Sequence, residues 1–161
     1  KDLNIQIAIK IYEYEELNAA DRELLDAARQ ATYRSYALFA LLGGRSRSVG
    51  KQYHRYRNQS GECTYPSGFV GWNATSLRSY RQPPNNPDQA VETLAIAARN
   101  ERGDFLEEPI PPCGACRQVM LETEKRFKRP MRILLSGEKG IYELRSVGAL
   151  LPLSFDASSM L

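Results

Sequence analysis

The segment PPCGACRQ, residues 111–118, holds two thiols two positions apart. Cys113 and Cys116 have the spacing of a redox pair, of half a zinc site, or of two unrelated structural thiols. The pattern behind them predicts a helix that begins near Cys113 and runs through Val119, Leu121 and Glu122 towards Phe127. A thiol at a helix start lies beside backbone N–H groups that have no partner in the helix, and at the positive end of the helix dipole. Both favour thiolate over thiol, and thiolate is the form that zinc binds. Pro111 and Pro112 stiffen the approach and bring no N–H of their own to satisfy. A thioredoxin-type pair would follow the first strand of a βαβ unit, whereas this one lies two-thirds of the way along the chain, so zinc is the favoured reading. A catalytic zinc centre needs three protein ligands and an open position, so a third ligand must come from elsewhere.

Candidates for that ligand are few. Cys63 is the remaining thiol and His54 the single histidine, the latter more simply read as a loop histidine. Glu92, in QAVETLAIA, is a carboxylate that could carry a proton, although the segment around it reads as a strand. Asn58-Gln59-Ser60 and Asn73-Ala74-Thr75 have the pattern of glycosylation triplets, without a secretion signal to support their use.

The elements that must position these groups are legible at both ends of the chain. In LNIQIAIKIYEY, residues 3–14, Leu3, Ile5, Ile7, Ile9 and Ile11 alternate as in a half-buried strand. Asn18 is placed to cap a helix, with Asp21 at its third position in a variant of the capping box. Leu24, Leu25, Ala28 and Ala31 then follow at helical spacing down to about Tyr33. VETLAIAA, from Val91 to Ala98, is compact and apolar like a central strand. A charged loop, RNERGDFLEEP, leads to the helix that starts near Cys113. MRILLSG and IYEL read as strands from Met131 to Ser136 and from Ile141 to Leu144, and VGALLPLSF as a short apolar element that stops at Pro152. Strands and helices alternate, so the class is α/β, a sheet covered by helices in one domain over 1–161. The exception is residues 40–86, which show neither a strand nor a helix period and are rich in Arg, Ser, Gly, Asn and Pro.

Composition narrows the function classes. With 161 residues, 42% hydrophobic and 25% charged, the chain can bury a real core. No run approaches the apolar length of a membrane span, and KDLNIQIAIK has no secretory core. Three cysteines are too sparse for a disulfide scaffold, which points to the reducing cytoplasm. Residues 43–81 hold seven basic side chains against Glu62 alone, a net +6 where the whole chain carries +3. Interleaved tyrosines and Trp72 would suit a nucleic-acid surface, but a solvated loop is the favoured reading of that stretch.

PPCGACRQVMLE resembles the second zinc motif of the small zinc-dependent cytidine deaminases, Pro-Cys-x-x-Cys-Arg-Gln. LLDAARQATYRSYALF is similar to that family's first helix and the Tyr-x-x-Phe turn after it, VETLAIAAR to the strand before the zinc cysteines, and ILLSGEKGIYELRSVGALLPLSF to the closing strands and terminal Leu-Leu-Pro-x-x-Phe signature. The likeness covers residues 1 to about 39 and 87–156. It implies a three-layer α/β/α sandwich with a mixed sheet of about five strands, assembled as a homotetramer. It also implies hydrolytic deamination of cytidine or deoxycytidine to uridine or deoxyuridine plus ammonia, in pyrimidine salvage. Zn2+ held by Cys113, Cys116 and a third ligand would activate water for attack on C4 of the ring, while a glutamate carries the proton. By position, Phe39 and Asn58 would contact the nucleoside, and Arg117 would sit beside the thiolates and temper their charge. The blasticidin-type branch of the family offers an alternative substrate.

Family members carry the rest of the site between the two matching blocks: Asn-x-Glu-Asn-Ala-x-Tyr, which grips the ribose, then Cys-Ala-Glu or His-Ala-Glu. Here RNQSGECTYPSGFVGWNATSLR keeps Asn58-Gln59 and Tyr65-Pro66-Ser67-Gly68, but Phe69-Val70-Gly71 stand where the ligand and glutamate belong. Shifted reading frames across residues 40–86 would explain both the partial match and the odd composition. Codons such as GGA GAA TGC ACC for Gly61-Glu62-Cys63-Thr64 contain Glu-Asn-Ala out of frame, and TGG AAC GCA for Trp72-Asn73-Ala74 contains Glu-Arg. The literal chain is therefore expected to turn over weakly or not at all. The alternatives are a deaminase scaffold without turnover and, behind it, a nucleic-acid-binding module using residues 43–81.

Overall fold

The computed structural model describes residues 1–33, 41–48, 55–58, 91–100, 102–112 and 114–155, with the backbone alone for 41–48 and 55–58. The chain runs from strand β1 (Lys10–Tyr12) through a 3-10 turn (Tyr14–Glu16) to helix α1 (Ala19–Thr32). Strands β2 (Leu41–Ser48), β3 (Arg55–Asn58) and β4 (Val91–Arg99) come next. Helix α2 (Gly114–Phe127), strands β5 (Arg132–Ser136) and β6 (Ile141–Leu144) and a 3-10 turn (Val147–Leu150) follow. The strands pair in the order β1-β6-β5-β4-β2-β3. β4 and β5 are parallel, with Leu94 opposite Ile133, and the other pairs are antiparallel. The result is an α/β fold with a mixed sheet, in which β4, α2 and β5 form a βαβ unit.

Alternation along the central strands sends side chains to two separate apolar clusters. Leu94, Ile96, Ile133 and Leu135 join Met120 and Leu121 of α2. Ala95, Ala97 and Leu134 join Leu24, Leu25 and Ala28 of α1. Small alanines on one face of β4 let α1 approach the sheet closely, while the larger residues on the other face meet α2. Both clusters are thus fixed by a period of 2 in the strands and about 3.6 in the helices.

Helix α1 starts as its sequence implies. The backbone N–H of Asp21 donates to Asn18 Oδ1 at 2.9 Å, and the Asn18 amide donates to Asp21 Oδ2 at 2.8 Å. The other side of the Asp21 carboxylate faces Arg132 at the start of β5. The guanidinium pairs with both Asp21 oxygens, donates to Glu143 Oε2 at 3.0 Å and reaches Thr93 Oγ1 at 3.4 Å. Burial opposes the Arg132 charge, but hydrogen bonds and attraction from Asp21 and Glu143 hold its pKa above the ordinary arginine value. One side chain thereby ties α1 to β4, β5 and β6.

Two stretches differ from the sequence reading. The half-buried strand expected over residues 3–14 is paired only over Lys10–Tyr12, with Lys10 opposite Glu143 of β6. Leu3 is 77% exposed and Ile11 63%. β6 ends at Leu144, one position past the partner of Lys10, so the residues before Lys10 run beyond it. Alternation sets which residues share a face but supplies no layer to cover that face. The stretch 40–86, which shows no period, nonetheless contributes β2 and β3. β2 pairs along β4 from Leu41–Arg99 to Ser48–Val91, with an irregularity at Arg47/Ser48. LLGGRSRS and RYRN lack apolar alternation, and backbone pairing with β4 overrides that weak local signal.

Candidate functional site

The site is built from the loop that carries the chain from β4 to α2. Asn100 Oδ1 accepts from the backbone N–H of Arg102 (2.9 Å) and Asp104 (3.0 Å), an Asx-type turn. Gly103 takes φ +90° there, a conformation that suits glycine. The chain then doubles back: the Leu106 N–H donates to Ala98 O at 3.3 Å. Glu138 and Lys139, in the turn between β5 and β6, donate backbone N–H groups to Leu106 O and Glu107 O, both at 3.0 Å. Gly137 sits so close to this loop that a Cβ there would lie 2.6 Å from Glu107 O and from Pro109 Cδ. Arg29 of α1 closes the same corner, with Nε 3.0 Å from Ser136 Oγ and its guanidinium 5.4 Å from the Phe105 ring centre. The segment entering α2 is therefore held on several sides, and Pro109 and Pro112 are buried within it.

Helix α2 begins at Gly114, one residue past Cys113, as its sequence implies. Cys116 lies in the first turn and is 7% exposed. Arg117 donates from Nε to Pro112 O at 2.7 Å and from NH1 to Leu150 O at 3.0 Å. It thus clamps the residue just before Cys113 to the closing 3-10 turn, and its hydrogen bonds go to carbonyls. Gln118 adds a second tie, donating to Phe155 O at 2.8 Å. The sequence reading did not single out Gln118 as a positioning residue; the apolar tail LLPLSF is the signal that something must hold that tail down.

The other sequence candidates are distributed as follows. Cys113, Cys63, His54 and Phe39 lie outside the described residues. Asn58 ends β3, with its backbone opposite Gly43, and its side chain is outside the described set. Glu92 is exposed near the start of β4. Its neighbour Thr93 pairs with Arg132, where the chain returns after α2. Cys116 is eleven residues before the end of that helix, roughly 16 Å along the axis at 1.5 Å per residue. The βαβ unit thus places Glu92 and Cys116 at opposite ends and does not bring them together. Glu92 instead borders a pocket of about 120 Å³ with Asn18, Asp21, Thr93 and Arg132. That volume is below the roughly 300 Å³ where ligand sites begin, and its Asp21 and Arg132 already bind each other.

Among the described residues no three His, Cys, Asp or Glu side chains are grouped as a metal would need. What the described geometry does provide is a buried thiol in the first turn of a helix at the carboxyl end of a parallel strand. Open α/β sheets bind ligands at such ends. The donor is soft, as zinc prefers, and α2 leaves its first N–H groups unpaired within the helix. Among the described residues no helix is long and apolar enough to cross a membrane. A comparison of the chain with protein-family models finds none that matches.

Proposed function

We propose that the chain is a zinc hydrolase of the cytidine deaminase type, converting cytidine or deoxycytidine to the uracil nucleoside and ammonia. The observation that carries this is PPCGACRQ, with Cys116 buried in the first turn of α2 and Arg117 fastening the proline turn ahead of it. The matching fold is a three-layer α/β/α sandwich. Its support is the division of strand residues between a cluster with α1 and a cluster with α2. The family's homotetramer belongs to the same reading.

In this reading Cys113 and Cys116 hold Zn2+ with a third donor, for which Cys63 and His54 are the sequence candidates. Zinc, when bound, supplies an activated water for attack on C4 of the pyrimidine. Arg117 and Gln118 act as positioning residues, fixing the helix start against Leu150 and Phe155. Phe39 and Asn58 would contact the nucleoside. A deaminase scaffold without turnover is the second reading, and the separation of Glu92 from Cys116 favours it, because Glu92 then cannot carry the proton.

Two measurements on the purified chain test these readings together: zinc per chain, and ammonia released from cytidine. Bound zinc whose affinity Cys116→Ala lowers by at least about 10-fold, and by more than loss of an outer partner would cost, supports the site. Zinc with ammonia release supports the enzyme, and zinc without it supports the scaffold reading. A zinc-replete chain that retains no metal, or a Cys116→Ala variant that holds it as well as the parent, overturns both. Sequencing the coding DNA across residues 40–86 tests the shifted frame. An unbroken frame whose alternative frames lack Glu-Asn-Ala and Glu-Arg removes that explanation.

A further inference from the structure

The segment leading into and through β1 carries apolar side chains that the described fold leaves uncovered. Leu3, Ile5, Ile7, Ile9 and Ile11 are all exposed, between 45% and 77%. They occupy odd positions, while Asp2, Asn4, Gln6, Ala8 and Lys10 occupy the even ones. β1 is the edge strand of the sheet, paired on one side with β6 over Lys10–Tyr12. An alternating, proline-free edge of this kind is a template for another strand, and proteins ordinarily blunt such edges unless they use them.

We propose that this segment pairs antiparallel with the same segment of a second copy of the chain, about a twofold axis at Gln6. Charge selects both the partner and the register. In an antiparallel pair, opposite residues share a face, so a register centred on Gln6 sets odd positions against odd positions. Leu3 then meets Ile9 of the second copy, and Ile5 meets Ile7. On the other face Asp2 meets Lys10, and the twofold repeats that opposite-charge pair at the other end of the ribbon. Glu143, the β6 neighbour of Lys10, is already engaged by Arg132, which leaves Asp2 of the second copy as a matching anion. A one-residue slip would break the Leu3–Ile9 and Ile5–Ile7 contacts and set Ile7 and Ile9 against polar residues. The contact is isologous, so it closes at two copies and does not propagate a filament. This inference does not rest on the deaminase reading.

The test is disulfide capture under mild oxidation, with sedimentation velocity at micromolar concentration and the parent chain as the background for its own cysteines. Cross-strand Cα atoms about 4.5–5.5 Å apart lie within disulfide reach, so Gln6→Cys is expected to give a covalent dimer. Asn4→Cys, whose two copies would stand about four residues or 13 Å apart along the ribbon, is expected to give none. Asp2→Lys turns two attractive contacts into two repulsive ones and should weaken self-association about tenfold. Asp2→Lys combined with Lys10→Asp should restore it. Equal capture by Gln6→Cys and Asn4→Cys, no capture by either, or a weakening by Asp2→Lys that the double exchange does not restore would overturn the pairing. So would a chain that sediments as a monomer. If that monomer also pelleted with phosphatidylcholine vesicles, the apolar face would be assigned to a lipid surface instead.

Discussion

Replacing Arg132 by Met tests the claim that one guanidinium holds α1 against the sheet. The Asp21 and Glu143 side chains that it engages are only 7% and 10% exposed, while that of Arg132 is 32% exposed. Methionine keeps much of the apolar stem but leaves two carboxylates without their cation in a nearly dry setting. Removing one partner of a buried pair costs about 3–5 kcal/mol, and water access to Arg132 sets the expectation at the lower end, about 3 kcal/mol. Against a domain stability of about 5–15 kcal/mol that is a large fraction. It corresponds to a melting point lower by roughly 6–12 °C for a chain of this size. Urea denaturation should show the midpoint falling with an unchanged slope, since the same surface is exposed on unfolding. The loss should persist at high salt, because a buried pair is screened far less than an exposed one. The decisive comparison is the triple variant Arg132→Met, Asp21→Asn, Glu143→Gln, which removes the stranded charges and should recover at least half of the deficit. A single-variant loss below about 1 kcal/mol, or a triple variant no more stable than the single, would refute the argument.

Glu124 of α2 accepts from the backbone N–H of Met131 at 2.8 Å and of Val147 at 2.9 Å, so Glu124→Ala leaves two donors unpaired. It should cost about 2–4 kcal/mol in urea denaturation, and an unchanged midpoint would show that water replaces the carboxylate. Gly137→Ala forces a Cβ into Glu107 O and Pro109 and should cost about 1–3 kcal/mol; a stable variant would mean the loop yields freely. Tyr14 donates to Asp26 Oδ2 at 2.7 Å, a bond that, with burial and the Asp26 charge, raises its pKa above the usual tyrosine value. The protonated form is favoured in the fold, so this contribution is complete below the ordinary tyrosine pKa and lost as pH rises through the raised one. Ultraviolet titration should show one tyrosine ionising late, and Asp26→Asn should bring it back; an unchanged titration curve would count against the bond.

The parts of the fold legible from sequence are those where local pattern and tertiary demand agree. α1 announces itself through Asn18 and Asp21, β6 through IYEL, and α2 through the prolines that precede it. β2 was not legible, because its pairing is satisfied by backbone groups along β4 and its residues carry no alternating apolar face. The segment before Lys10 fails in the opposite sense: its alternation is strong, yet the partner strand stops after Leu144. The candidate site divides in the same way. Its thiol pair and helix start are contiguous in the chain and readable from residue types alone. The supports of that helix start are not contiguous. Arg117 reaches Leu150, Gln118 reaches Phe155, and Glu138 reaches back to Leu106, contacts separated by 32 to 37 positions. Spacing in sequence cannot encode such pairs, because they are chosen only after the β4–α2–β5 crossover has fixed which loops meet. The helix start is thus held by buried prolines and by carbonyl clamps that come together only once the crossover has folded.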